Sequence, residues 1–490
     1  MKKLLFPALG ALSLLAGCNF LQRDPLGSIA PQNFFQTSSD AEASLTSCYD
    51  ALQAAGAYRQ DLVTMGEMPS DNCTSTNNDV NALEKINWTA TTGQVGSVFR
   101  QAYVGINRAN IVLKYVPTVT MDTARRSQIL GEARFLRALN YLNLVRAYGR
   151  VPLRLQPSES GAAADINLAA STSDQVYDQI VADLQRAAIQ MPSSNQRRAA
   201  KNAAYALLAR TQLTRRNWAA ALDAAKKVTG VALVRPFKSL YPAENKGSES
   251  LFEVQFASSG DEGAYLPDLI LPSPPAIYPF AKFNIPTSEL IAFADTVNDR
   301  RWAYNGPAVT ASGTTFGRDH VSYVASGLTS SNNSGPFAYK WTSTTAFLSS
   351  NDNTYVLRYA EVLLTLAEAS NELNGPNSDA LAALNQIRDR AGLAQLSLAS
   401  SQVATKQAMR NEIDRQRRLE LAFEGERWWD LVRYARHTLA DPSATHTVTA
   451  LDIIKQQQST PGGANVNYLV FPLPLGELNY NPLLTQNPGY

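Results

Sequence analysis

TARRSQILGEARFLRALNYLNLVRAYGRVPL, running from Thr123 to Leu153, decides the fold class of this 490-residue chain. Ile129, Ala133, Leu136, Leu139 or Asn140, Leu142 or Asn143 and Tyr148 recur at steps of three and four, the period of a helix that buries one face. Asp122 supplies an N-cap oxygen, Gly149 tolerates the left-handed C-terminal conformation, and Pro152 prevents resumption, so both ends are punctuated. Ala133 and Ala138 lie within the stripe and let a second helix approach closely. The segment is therefore predicted to be one member of packed helical pairs.

The rest of the chain supplies partners for it. Helical period predicts helices over about 41–54, capped by Ser39 and Asp40, over 98–116, and over 174–190. Between 202 and 228, Tyr205, Leu208, Ala209, Trp218, Ala221, Leu222, Ala225 and Val228 fall close to the positions that carry large, small and aromatic residues in a tetratricopeptide unit. A further pair is expected over 355–374 and 379–391, broken by Gly375 and Pro376, and helix returns over 405–436 with an interruption near Gly425. Four such pairs suffice for a curved solenoid. From 231 to 354 the helical period fades, Pro, Gly, Ser, Thr and aromatic residues rise, and 250–256 alternates like a strand. The end, 468–490, is rich in Pro and Asn and is expected to pack back as extended chain.

The fold expected is mainly α: a tetratricopeptide-like helical-pair scaffold carrying a loop-rich subdomain with short strands. Its parts are a signal peptide at 1–17, a tether at 18–36, a helical-pair region at 37–230, a loop-rich insertion at 231–354, and a helical region with an extended tail at 355–490. Lys2 and Lys3 precede an apolar run from Leu4 to Ala16, of signal-peptide length and too short to span a bilayer. Leu15-Ala16-Gly17-Cys18 resembles a lipobox, so Cys18 is the expected lipidation site and multiple acyl chains the expected anchor. Without Lys2 and Lys3 the 44 Lys and Arg become 42, equal to the 42 Asp and Glu. That balance, with no basic tract, argues against nucleic acid as a ligand. Cys48 and Cys73 remain in a compartment that permits disulfides, and the position of Cys48 on a helical face between Leu45 and Leu52 favours a buried free thiol.

Catalytic chemistry finds little support. The three His show no metal-ligand spacing, and no HExxH, CxxC, phosphate-binding Gly-Lys loop or nucleophile elbow occurs, so no cofactor and no metal is expected. Glu420, Glu424, Glu426 and Asp430, interleaved with Arg between Arg415 and Arg433, are expected on a solvated or salt-bridged helical face. Binding by flat apolar faces is the alternative to catalysis. Trp218 is accounted for by repeat packing, and Trp428 with Trp429 by the C-terminal helical core. Trp88 stands in an aperiodic polar loop with Asp71, Asn72 and Asn78 and is the first candidate to stack on a ligand, the other outcome being a loop-anchoring core Trp. Tyr278, Trp302 and Tyr304 in the insertion are the next candidates.

Several runs in order resemble the SusD-like (RagB/SusD) family of outer-membrane nutrient-binding lipoproteins. They are GEARFLRALNYLNLVRAYGRVPL from Gly131, SESLFEVQF from Ser248, RYAEVLLTLAEASNEL from Arg358, LNQIRDRAGL from Leu384, RQRRLELAFEGERWWDLVR from Arg415 and FPLPLGELNYNPLLTQNPGY from Phe471. The resemblance implies a non-enzymatic cell-surface protein, lipid-anchored in the outer membrane, that binds oligosaccharides or related polymer fragments and delivers them to a SusC-like TonB-dependent transporter. It implies that the loop bearing Trp88 contributes to the ligand face, and that Asp299-Arg300-Arg301 and Lys340-Trp341 are scaffold motifs. A peptide-binding protein on the same fold is the alternative, and a surface hydrolase a further one.

Overall fold

The helix expected at the centre of the chain spans Thr123–Tyr148, with the Asp122 carboxylate accepting from the Arg125 amide at 2.7 Å and Gly149 at φ 71° ending it. The structure is a computed structural model. It describes residues 34–490 apart from 76, 159, 196, 242–246, 259–261, 272–282, 284, 296, 303–313, 317–320, 325–334, 342–347 and 459–463. The signal-peptide segment, Cys18, all of the tether but its last three residues, Tyr278 and Tyr304 lie outside the described residues.

Among those residues, the helices of nine residues or more are α1 (Ser38–Asp50), α2 (Gly93–Tyr115), α3 (Thr123–Tyr148), α4 (Ser173–Gln190), α5 (Lys201–Thr214), α6 (Trp218–Lys226), α7 (Tyr359–Asn374), α8 (Ser378–Arg390), α9 (Lys406–Leu421), α10 (Arg427–Ala440) and α11 (Ala450–Gln458). Each of α2 to α8 packs on the next in order. The stack crosses the insertion without a gap, because α6 lies directly against α7. None of these helices is long and apolar enough to cross a membrane. The cap of α1 is Thr37 rather than Ser39: its hydroxyl and the Asp40 carboxylate form a reciprocal capping box.

Helix α3 differs from the expectation of one buried face. From Gly131 to Tyr148 every residue except Arg134 is buried, because α1, α2 and α4 pack around it. Its polar residues tolerate this by pairing. Arg137 donates from Nε and Nη2 to both oxygens of Asp183 at 2.8 Å, and Arg146 donates to Glu426 at 2.8 Å.

The insertion leaves and rejoins the stack on a short antiparallel pair, β2 (Ser250–Val254) with β7 (Thr354–Arg358), so the start of the expected 355–374 helix is strand. Between them lie β3 (Ile285–Pro286), which pairs with β1 (Cys73–Thr74), and the sheet β4 (Thr314–Phe316), β5 (Val321–Val324) and β6 (Gly335–Ala338). Cys48 and Cys73 are both buried and free.

The acid-rich run from Arg415 to Arg433 is paired but not solvated. Glu420 and Asp430 are buried, and the Glu424 side chain is only 8% exposed. Arg358 reaches Glu249 at 3.0 Å and both Glu424 oxygens at 2.8 Å, and it also pairs with Glu420. Arg390 joins Glu249 at 2.7 Å and Glu420, Arg301 joins Asp299 at 2.6 Å and Glu420 at 3.0 Å, and Lys340 pairs with Glu424. Four cations thus meet four carboxylates, a balance that a low-dielectric site requires. Burial would raise the Glu420 and Glu424 carboxyls, but Arg390, Arg358 and Arg301 hold Glu420 far below its ordinary range, and Arg358 with Lys340 holds Glu424 down to about 2. Asp299, Arg301 and Lys340 belong to the insertion, so this network fastens it to α8 and α9.

The break near Gly425 separates α9 from α10, with Phe423 at φ 67° and Gly425 at φ 78°. The buried Glu67 carboxylate accepts from the Phe423 and Gly425 amides at 2.9 and 3.0 Å and holds this turn.

Candidate functional site

Most of the residues singled out in the Trp88 loop are inside the protein. Trp88 is 1% exposed, its ring 4.2 Å from that of Phe471, and its Nε1 donates to the Tyr490 hydroxyl at 2.7 Å. Asp71 forms a bidentate pair with Arg427 at 2.8 and 3.0 Å. Asn72 donates to Glu67 at 2.9 Å and accepts from Arg418 at 3.0 Å. These groups anchor the loop to α9 and α10, and their hydrogen-bonding capacity is spent there. Trp302, a candidate for the ligand face, is likewise buried, its Nε1 3.3 Å from the Leu419 carbonyl, so its ring packs inside the protein and not on a ligand surface. Asn78 is exposed, on a turn tied to α2 by the Gln94 side chain, which donates to the Asp79 carbonyl at 2.9 Å. The structure therefore does not gather Trp88, Asp71, Asn72 and Asn78 into one surface site.

A groove of about 570 Å³ opens instead along the middle of α2. One wall is α2, with Arg100, Tyr103, Val104 and Asn107. The second is the segment 152–167, held against α2 by its own backbone. The Tyr103 hydroxyl donates to the Pro152 carbonyl at 2.6 Å, and Asn110 donates to the carbonyls of Arg154 and Gln156 at 3.1 and 3.2 Å. Asn107 accepts from the Ser158 amide at 3.0 Å. Arg154 in turn donates to the Asp165 carbonyl at 2.8 Å and to that of Ile166, which closes the segment on itself.

The third wall is the C-terminal tail. It packs back as expected, but through a short helix, Leu475–Tyr480, as well as extended chain. The Leu475 amide donates to the Ala90 carbonyl at 2.9 Å, the Phe471 amide to that of Ala147 at 2.7 Å, and the Asn481 side chain to that of Leu168 at 2.9 Å. These bonds set Glu477 and Tyr480 over the groove.

The groove has an apolar floor, with Phe99, Ile106, Pro152 and Leu484 all buried, and a mixed polar rim. Tyr480 is 82% exposed and presents its ring to solvent at the edge of the groove. Val104 and Ile166 on the walls, and Leu155, Leu168, Leu475 and Leu483 on the same segments, are exposed too. Burial pushes the Tyr103 hydroxyl well above its ordinary value, so it stays neutral. An apolar concavity with a few convergent polar groups is the usual form of a small-ligand site. No periodicity could have marked it, because its walls come from 99–110, 152–167 and 477–484. The one local signal is Tyr480 itself, an aromatic residue between Asn479 and Asn481 with no apolar stripe to join.

Among the described residues no group of three or more His, Cys, Asp and Glu is placed to hold a metal. A stacked-helix scaffold with a looped-out subdomain places the chain in the tetratricopeptide-like helical class. The chain belongs to the SusD-like family. Residues 300–490 match the profile described as SusD family, and residues 25–213 the profile described as starch-binding associating with outer membrane. A SusD-like protein of Formosa agariphila, P2, is 27% identical over the full length of both chains. Two solved structures share the fold. A laminarin-binding SusD-like protein superposes with TM-score 0.73 at 24% identity over 93% of this chain and 100% of the other. Surface glycan-binding protein A of Bacteroides uniformis gives 0.76 at 24% identity over 92% and 99%.

Proposed function

We propose that this protein is a cell-surface, outer-membrane lipoprotein that captures oligosaccharides and hands them to a SusC-like TonB-dependent transporter, without itself cleaving them. The observation that carries the glycan part is the groove under Tyr480. Sugar rings present C–H faces that stack on an aromatic side chain, while their hydroxyls both donate and accept. Tyr480 offers the face, and Arg100, Asn107, Gln156 and Glu477 offer both kinds of partner. The family membership and the glycan-binding proteins among its structural neighbours support the same assignment. Asn78, on the turn tied to α2, is proposed to extend the ligand face, and Tyr278 and Tyr304 are proposed as further ligand-binding residues.

Calorimetric titration of the full chain with a panel of oligosaccharides and peptides is the direct test. Tyr480→Ala is expected to weaken glycan binding by about 1–3 kcal/mol, the range for a ring stacked on an aromatic side chain, with unchanged thermal unfolding because the ring is exposed. Binding of peptides in place of glycans, or release of new reducing ends, would reject the assignment.

The anchor and the transporter rest on the Cys18 lipobox and on the family. Cys18→Ser is expected to leave the body folded and to move it from the membrane to the soluble fraction, because the acyl chains supply membrane affinity while the helical stack supplies stability. Retention of that variant in the membrane fraction would show that another element holds it.

A further inference from the structure

The polar groups of the groove that have no partner select the charge of its ligand. Arg108 beside the groove is already neutralised by Asp50 at 2.6 Å and by the Ser47 carbonyl, and the Arg154 guanidinium is turned onto the carbonyls of Asp165 and Ile166. Of the lining cations only Arg100 keeps a guanidinium that no described residue engages. Against it stand two acceptors. Glu477 lies one turn before Tyr480 on the same short helix, and no described residue donates to its carboxylate. Asn167 lies on the opposite wall and has a buried Oδ1 that meets no donor.

A buried acceptor that meets no protein donor favours a ligand that brings a donor to it. An anionic group placed under Tyr480 would face the Glu477 carboxylate over an apolar floor, where like charges repel more strongly than in water. Building on the assignment of this groove as the glycan site, we infer that it takes uncharged, hydroxyl-rich oligosaccharides and rejects uronate and sulfated ones, with Glu477 and Asn167 as the specificity-determining acceptors. A hydroxyl fits both, because it donates to the acceptors and accepts from Arg100.

The test uses the full chain in detergent and four probes: neutral gluco- and manno-oligosaccharides, an oligogalacturonate and a sulfated galactan oligosaccharide. Wild type should bind a neutral probe at least tenfold more tightly than either anionic one. Glu477→Gln keeps the shape and removes the charge. It should weaken the neutral probe by about three- to tenfold, as a charge-assisted hydrogen bond becomes an ordinary one, and narrow the gap to the anionic probes. Asn167→Leu should weaken the neutral probe without improving the anionic ones. Tyr480→Ala separates the two levels of the argument. Binding of an anionic probe at or above neutral affinity, lost in Tyr480→Ala, would overturn the selectivity and leave the groove as the glycan site. Neutral binding indifferent to Tyr480, Glu477 and Asn167 would overturn the groove itself, and absence of binding to all four probes would reject both. Circular dichroism of each variant guards against loss of fold, and Asn167→Asp supplies a polar replacement should the Leu variant unfold.

Discussion

Glu420→Gln is expected to cost about 3–5 kcal/mol of stability, although it changes no shape and lies nowhere near the groove. The side chain is fully buried and accepts from Arg301 at 3.0 Å, and it pairs as well with Arg358 and Arg390. Removing its charge leaves those guanidiniums one carboxylate short in a site that water cannot reach, and a Gln amide turns an N–H toward at least one of them. Equilibrium unfolding in denaturant of wild type and variant measures the cost. A change below about 1 kcal/mol, the usual worth of an exposed ion pair, would mean that the cluster is open to water. The same cluster sets an acid limit. Glu424 sits at about 2 when folded against an ordinary 4.5, so its contribution is present above about 4.5 and is lost as the pH falls through about 2. Because Asp299, Arg301 and Lys340 are in the insertion, the first part of the variant to loosen should be the insertion's hold on α8 and α9.

Trp88→Ala should have an effect of similar size, about 3–5 kcal/mol, by a different route. The Trp88 ring packs against Phe471, Trp428 and Tyr468, with centroids at 4.2, 6.0 and 5.9 Å, and its Nε1 is tied to Tyr490 at 2.7 Å. Truncation opens a cavity where the loop, α10 and the C-terminal tail meet, and strands the Tyr490 hydroxyl, which itself donates to the Val470 carbonyl at 2.7 Å. Since that tail carries Glu477 and Tyr480, affinity per folded molecule tests how rigidly the tail is held. It should be unchanged, because the Phe471 and Leu475 amides keep their bonds to the Ala147 and Ala90 carbonyls and the Asn481 side chain keeps its bond to the Leu168 carbonyl. Trp88→Phe keeps most of the packing and should recover more than half of the loss. Weakened binding with an unaltered unfolding transition would return Trp88 to the ligand face.

Read alone, the sequence determined the helical stack. Its signal is local: the three- and four-residue steps of 129–148, the small residues of 203–225 and the stops at Gly149, Gly375 and Gly425 act within one or two turns. The family is legible for the same reason, since its motifs are the packing vocabulary of those helices. Tertiary structure alone decided where polar groups go. Asp71 and Asn72 have the composition of a sugar-binding loop, and nothing within ten residues of them shows that Arg427 and Arg418 bury them. Glu420 and Glu424 have the spacing of a solvated face, and their partners lie at 301, 340, 358 and 390. A charged residue is inside or outside according to whether a partner tens to hundreds of residues away neutralises it, and periodicity carries no record of that. The groove is the same case in reverse. Arg100, Asn167 and Tyr480 each look like ordinary surface residues, and they converge only because the backbone bonds of 152–168 and of the C-terminal tail close two walls against α2.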